Sequence, residues 1–201
     1  MTSDKIKQYY DSTKNRNVRS DLESALTLTK EPKIAIDCGC GAGSDIAYLL
    51  SKGFTVYGFD LENESISICN SRFKRNKKVI LSQDSFNSFE YPRASLVLAD
   101  ASLFFCPEKD FENVFKNIHE CLYPDGIFCG SFLGPEDTMA GPSYDKEAYW
   151  PDILVFYEEE IKSIFDGYYE IIRFTEHKSS GNSADCSPHQ WHIFSVVAKK
   201  I

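Results

Sequence analysis

The sequence predicts an α/β domain with one doubly wound, mostly parallel sheet. Three observations carry this. Residues 33–50 read as a buried strand, a glycine-rich turn and an amphipathic helix. From there to residue 133, short apolar runs alternate with segments of helical period, the pattern of βαβ units. The chain then ends in two stretches of period-two alternation, 168–175 and 191–199, joined by a polar segment, as expected of an antiparallel hairpin. Seven strands result, in a Rossmann-like arrangement. A length of 201 residues suits one domain, and no repeat or linker divides it.

The first strand runs from Lys33 to Asp37 and leads into Gly39, Gly41 and Gly43, at alternate positions. Glycine lets a backbone turn sharply and lets a ligand approach without a Cβ in the way. The helix that follows carries Ile46, Leu49 and Leu50 on one face, and its first N–H groups point into the same space. A dinucleotide site has the spacing G-x-G-x-x-G. Here the third glycine comes one residue early and Ser44 stands in its place. The turn also opens on a carboxylate, Asp37, which suits a cation better than a phosphate.

Residues 55–60 form the second strand, ending in Asp60. A βαβ unit brings that carboxylate beside the glycine turn, where it can accept ribose hydroxyls. Nicotinamide and S-adenosylmethionine folds both use this device, so Asp60 alone does not choose between them. Asn63 is expected to cap a helix with Ile66, Cys69 and Phe73 inside, whose basic end, Arg72 to Lys78, is expected to be solvated. Residues 79–81 are the third strand, followed by Asp84, Ser85 and Phe86. The fourth strand, 94–100, is apolar almost throughout, as in a sheet covered on both faces. Its carboxyl end, where such sheets bind ligands, leads to Phe104 and Phe105, which either wall a pocket or belong to the core. Phe111, Val114, Phe115, Ile118 and Leu122 give residues 110–122 a helical face. A Pro-Asp-Gly turn at 124–126 precedes the fifth strand, 127–133. Residues 134–151 are turn-rich, 158–165 helical, and 179–188 a polar loop expected to be mobile.

The D-x-G-x-G-x-G turn resembles motif I of the class I methyltransferases that use S-adenosylmethionine. Asp60, Asp84, the Leu-x-Pro-Asp-Gly turn and the closing hairpin recur in that family's order over roughly residues 30–200. Residues 128–137 and 189–194 look similar to small bacterial methyltransferases of the tellurite-resistance and thiopurine type. The resemblance implies a strand order of 3-2-1-4-5-7-6. It implies that Asp37, Gly39, Cys40 and Gly41 hold the methionine part of the cofactor, that Asp60 and Leu61 hold the ribose and that Asp84 and Ser85 meet the adenine. Ala99, at the end of the fourth strand, joins that set. The activity implied is methyl transfer to a small molecule by in-line displacement, leaving S-adenosylhomocysteine. No catalytic residue is indicated, because a soft sulfur or oxyanion acceptor needs no base. The alternatives are a non-catalytic sensor of the same cofactor and, disfavoured by Ser44, a nicotinamide-dependent oxidoreductase.

On the acceptor side the candidates are Tyr9, Tyr10, Arg16 and Arg19 near the N-terminus, Phe104, and His189, Trp191 and His192 at the entry to the last strand. Aromatic and cationic groups of this kind bind flat or anionic acceptors. Residues 1–30 read either as a lid, which the resemblance implies, or as a solvated helix that packs its tyrosines on the domain. Cys186, His189 and His192 could suggest zinc, but a fourth ligand is missing and odd spacing turns the histidines to opposite faces. No metal is therefore expected.

A net charge of −8 argues against a broad nucleic-acid or anionic-membrane footprint. No apolar run approaches the ~20 residues that span a bilayer. The first residues are polar, with no signal-peptide core, and seven cysteines show no framework spacing. Reduced thiols in the cytoplasm are the expectation.

Overall fold

The structure is a computed structural model and describes residues 9–142, 144, 152–183 and 187–201. A helical turn over residues 9–13 precedes α1 (Ser20–Leu28), β1 (Ile34–Cys38), α2 (Ser44–Ser51), β2 (Thr55–Asp60), α3 (Asn63–Phe73), β3 (Val79–Gln83) and β4 (Ala94–Ala99). A 3₁₀ turn (Leu103–Phe105) then leads to α4 (Glu108–Cys121), β5 (Leu122–Leu133), a second 3₁₀ turn (Thr138–Ala140), α5 (Glu158–Phe165), β6 (Tyr169–Asn182) and β7 (Pro188–Lys200).

The seven strands form one sheet in the order β3-β2-β1-β4-β5-β7-β6. β1 to β5 pair in parallel, and β7 runs antiparallel to both β5 and β6. β4 is buried along its whole length, and it shows why the strands read as continuous apolar runs. Leu96 and Leu98 join the core beneath α1 to α3, while Val97 and Ala99 join the core beneath α4 and α5. α4 lays Val114 and Ile118, both fully buried, on that second face. Each such side chain contributes about 1.5–3 kcal/mol.

Four local expectations are corrected. Asn63 does not cap α3, for it is the first helical residue and the Glu62 N–H donates to the Asp60 carboxylate instead (3.0 Å). The basic end of α3 is not wholly solvated, because the Arg72 guanidinium donates back to the Ala42 carbonyl. The Pro-Asp-Gly turn does not precede β5 but interrupts it. Ala94 pairs with Leu122 and Leu96 with Ile127, so the residues between bulge out, with Asp125 in the left-handed region at φ 61°. Finally, the polar segment is strand at both ends, over residues 179–182 and at Pro188. Ser179 pairs with Trp191 and Asn182 with Pro188. β6 is exposed on both faces there, so its sequence carries no burial signal. Cys186 lies outside the described residues.

Candidate cofactor site and acceptor side

The turn after β1 is held from two sides. The N–H groups of Gly39 and Cys40 both donate to the Phe59 carbonyl at 2.9 Å, which ties the turn to the end of β2. A Cβ on Gly39 would lie 2.6 Å from the Cβ of Ser102, whose hydroxyl donates to the Cys38 carbonyl at 2.6 Å. Close approach to the loop after β4 thus requires glycine at 39. Gly41 differs. Its φ of 52° favours glycine, but an added Cβ would meet nothing nearer than the Tyr10 ring at 3.8 Å. The Tyr10 ring covers Gly41 at ordinary contact distance.

Asp60 closes the turn from β2. One carboxylate oxygen accepts the Gly41 N–H at 2.8 Å and the other the Glu62 N–H. Burial pushes this carboxyl up, and the N–H donors oppose that shift. Each oxygen keeps a lone pair for a further donor. Leu61 beside it is 63 % exposed. Beyond β3, Asp84 accepts the Ser88 hydroxyl (2.9 Å), and the Ser85 N–H donates to that same hydroxyl oxygen (3.0 Å). The Ser85 N–H is therefore engaged within its own turn. Ala99 is fully buried and has only its backbone to offer a ligand.

Asp37 sits on the face of β1 covered by α2. One of its carboxylate oxygens is buried with no hydrogen-bond partner. Burial first, and Asp45 second, push the carboxyl well above the usual carboxylate range, against the opposing charge of Arg16. Arg16 donates to Asp45 and, at 3.1 Å, to Asp100, and Arg19 donates to the other Asp100 oxygen at 2.8 Å. The Ser44 hydroxyl donates to the Thr13 carbonyl at 2.7 Å. Tyr10, 4 % exposed, lies over Gly41, and its hydroxyl is pushed up by burial and then by Asp60. Tyr9 packs against Tyr10 with ring centroids 5.6 Å apart. The N-terminal segment thus crosses the carboxyl ends of β1, β2 and β4.

The remaining acceptor-side candidates separate. Phe104 is buried in the core cluster, and its carbonyl accepts the Leu154 N–H. His192 is buried with both ring nitrogens engaged: the Glu136 N–H donates to Nδ1 (3.0 Å), and Nε2 meets Glu176 (2.9 Å). His189 meets Asp137 instead (3.1 Å), and its ring lies 4.8 Å from that of Trp191. Among the described residues no group of three or more side chains is arranged to hold a metal.

Sequence reasoning did not single out Asp45, Asp100 and Asp137. Arg16 is separated from Asp45 by 29 residues and from Asp100 by 84, and no local pattern announces pairs at such distances. The signal available was polar residues at strand ends in an α/β sheet.

An orphaned buried carboxylate oxygen on β1 and a carboxylate on β2 with lone pairs to spare fit a ligand bearing an ammonium and vicinal hydroxyls. Residues 35–126 match a family model described as a methyltransferase domain. A protein of Danio rerio named mitochondrial arginine-hydroxylase NDUFAF5 is 28 % identical over 132 residues, 63 % of this chain and 40 % of that protein. YqeM of Bacillus subtilis, provisionally named a methyltransferase, is 28 % identical over 127 residues, 57 % of this chain and 51 % of its own. The chain spans about half the length, or less, of these relatives. TehB from Haemophilus influenzae superimposes over 98 % of this chain and 67 % of its own, with a TM-score of 0.77 at 18 % identity. A Burkholderia thailandensis 1,6-didemethyltoxoflavin-N1-methyltransferase, solved with S-adenosylhomocysteine, covers 98 % of this chain and 86 % of its own, with a TM-score of 0.66 at 19 % identity. The glycine turn and the strand order agree with these likenesses: residues 35–126 are similar to a methyltransferase domain, and the chain has the fold of these solved structures.

Proposed function

We propose that the chain transfers a methyl group from S-adenosylmethionine to a small-molecule acceptor by direct in-line displacement. The observation that carries this reading is the buried Asp37 oxygen without a partner, on β1 just before the glycine turn. When bound, the cofactor supplies the electrophilic methyl group. Asp37 would accept the ammonium, and Asp60, braced by two backbone N–H groups, the ribose hydroxyls. Leu61, Asp84 and Ser85 would border the adenine, with Gly39, Cys40 and Ala99 contributing backbone. The chain's own contribution is alignment, for which the order of 7–11 kcal/mol is available. The N-terminal segment, fastened by Arg16 and Arg19, would act as a cap that keeps water from the transfer.

A small acceptor is favoured over a nucleic acid by the net charge of −8, and the toxoflavin enzyme among the structural neighbours is named for such an acceptor. No described helix is long and apolar enough to cross a membrane. The six described cysteines are free thiols, which supports a reducing, cytoplasmic setting. The test is incubation of the full chain with methyl-labelled S-adenosylmethionine and a metabolite extract. Label should enter a small molecule as S-adenosylhomocysteine accumulates. Tight cofactor binding without transfer would favour the sensor. Oxygen incorporation without transfer would favour a hydroxylase, the activity that the Danio rerio relative's name carries.

A further inference from the structure

Asp137 follows β5 and is 3 % exposed. Its carboxylate accepts three N–H groups, from the backbones of Met139 and His192 (both 2.9 Å) and from Nε2 of His189 (3.1 Å). A carboxylate in that setting only accepts, so Nε2 of His189 carries the hydrogen and the lone pair of the neutral ring is on Nδ1. No hydrogen bond to His189 Nδ1 occurs among the described residues. His192 has no such freedom, because its two nitrogens are engaged and a Cβ on Gly134 would touch its ring at 2.5 Å. The side chains differ in reach as well, 12 % exposed for His189 and 3 % for His192.

The register locates the free lone pair. Ile193 pairs with Leu133 at the carboxyl end of β5, and β7 pairs onward with β6 to Pro188. His189 therefore overhangs the carboxyl edge of the parallel strands. It shares a face of β7 with Trp191 and Ser195, and Ser195 lines a small cavity with Arg19 and Asp100. That face is the one crossed by the N-terminal segment.

We propose that His189 is the proton acceptor for the methyl acceptor, positioned by Asp137, and that the acceptor is a planar hydroxyl compound of the phenol or catechol class. This rests on the methyltransferase reading above. The acceptor O–H bond breaks and its proton goes to Nδ1, where Asp137 balances the imidazolium charge. The freed oxygen pair forms the new O–C bond. The S–C bond of the donor breaks with its pair left on sulfur. The Trp191 ring beside His189 supplies the flat wall that selects a planar acceptor.

The test uses catechol, a weakly acidic hydroxyl probe, and thiophenol, which is already an anion at neutral pH and needs no base. The full chain should methylate catechol. His189→Gln should lower that rate by about 10²–10⁴-fold, with thiophenol methylation and calorimetric S-adenosylmethionine affinity unchanged within about threefold. Three results would each overturn the proposal: unchanged catechol turnover in the variant, equal loss with both probes, or a wild-type chain that binds the cofactor and leaves catechol untouched. A chain that does not bind the cofactor fails at the earlier step, the methyltransferase reading, and calorimetry identifies that case. Ring ¹⁵N NMR gives a readout free of turnover. A neutral His189 with hydrogen on Nδ1 would refute the role of Asp137.

Discussion

Asp37 is a carboxylate that the fold holds at a cost. Its folded-state pKa is raised by burial and by Asp45, so the folded protein binds this proton more tightly than the unfolded chain. The associated stability is fully present below the unfolded carboxylate pKa and is lost as pH rises through the folded value. Asp37→Asn should therefore raise the Tm at pH 8, by roughly 2–4 °C for each kcal/mol recovered, and should have less effect in acid. It should also remove most S-adenosylmethionine affinity, since a cation stabilises the ionised form. Thermal melts at two pH values and calorimetry check both halves, and a variant that binds normally would show that Asp37 does not meet the cofactor. The glycines divide in the same way. At position 41 the left-handed φ costs an L-residue about 1–2 kcal/mol, but an added Cβ meets only the Tyr10 ring at ordinary contact distance, so Gly41→Val should lose cofactor binding and keep a native-like circular dichroism spectrum. At position 39 a Cβ meets Ser102 at 2.6 Å, so Gly39→Ala should be the more destabilising of the two in urea. Asp60→Ala should cost about 1.5–3 kcal/mol of affinity, and it should also loosen the turn, because the Gly41 and Glu62 N–H groups lose their acceptor. The places of Asp37, Gly41 and Asp60 were legible in the sequence because strand ends and the glycine turn have fixed positions in a βαβ unit. Asp45 and Asp137 were not legible, because their partners come from elements far along the chain.

Among the elements, the helices and inner strands were read from periodicity, and the misread parts were those whose environment breaks it. The β6 strand past residue 178 is polar and exposed on both faces, and the segment within β5 at 123–126 bulges out of the ladder. The N-terminal segment is a third case. Its sequence is polar, yet Tyr10 and the Arg16 guanidinium are largely enclosed, because Asp45 and Asp100 wait at the ends of the sheet. Arg16→Ala leaves two carboxylates without that cation and frees the segment at its centre. Faster proteolytic cleavage within residues 9–19 is expected, together with a drop in methyl transfer larger than the drop in cofactor affinity. Equal turnover per folded molecule would reduce the segment to a cover for apolar surface. Because the Arg16 side chain is 27 % exposed, solvent screens the pairs and the loss in global stability should be modest.

At the scale of the whole molecule, the sheet order puts two groups of polar residues on separate halves of one edge. β1, β2 and β4 bring Asp37, Asp60 and Asp100 to the carboxyl edge, and β5 and β7 bring Asp137 and His189 to the same edge on the other side of the β4 crossover. The two apolar layers meet the sheet from opposite faces and leave that edge to polar residues, so ligand binding draws on groups that the core does not need. This division predicts a simple linkage. A ligand that binds only the folded chain stabilises it by RT ln(1 + [L]/Kd), about 2.7 kcal/mol at a hundredfold excess over Kd. For a chain of this length that is on the order of 5–11 °C in Tm. S-adenosylmethionine and S-adenosylhomocysteine should both produce such a shift, and NADH should produce none, because Ser44 replaces the glycine that a pyrophosphate turn needs. The shift should shrink in Asp60→Ala in proportion to the affinity lost in calorimetry. Stabilisation by NADH at concentrations where S-adenosylmethionine has no effect would reverse the assignment of the glycine turn, and with it the reading of the whole edge.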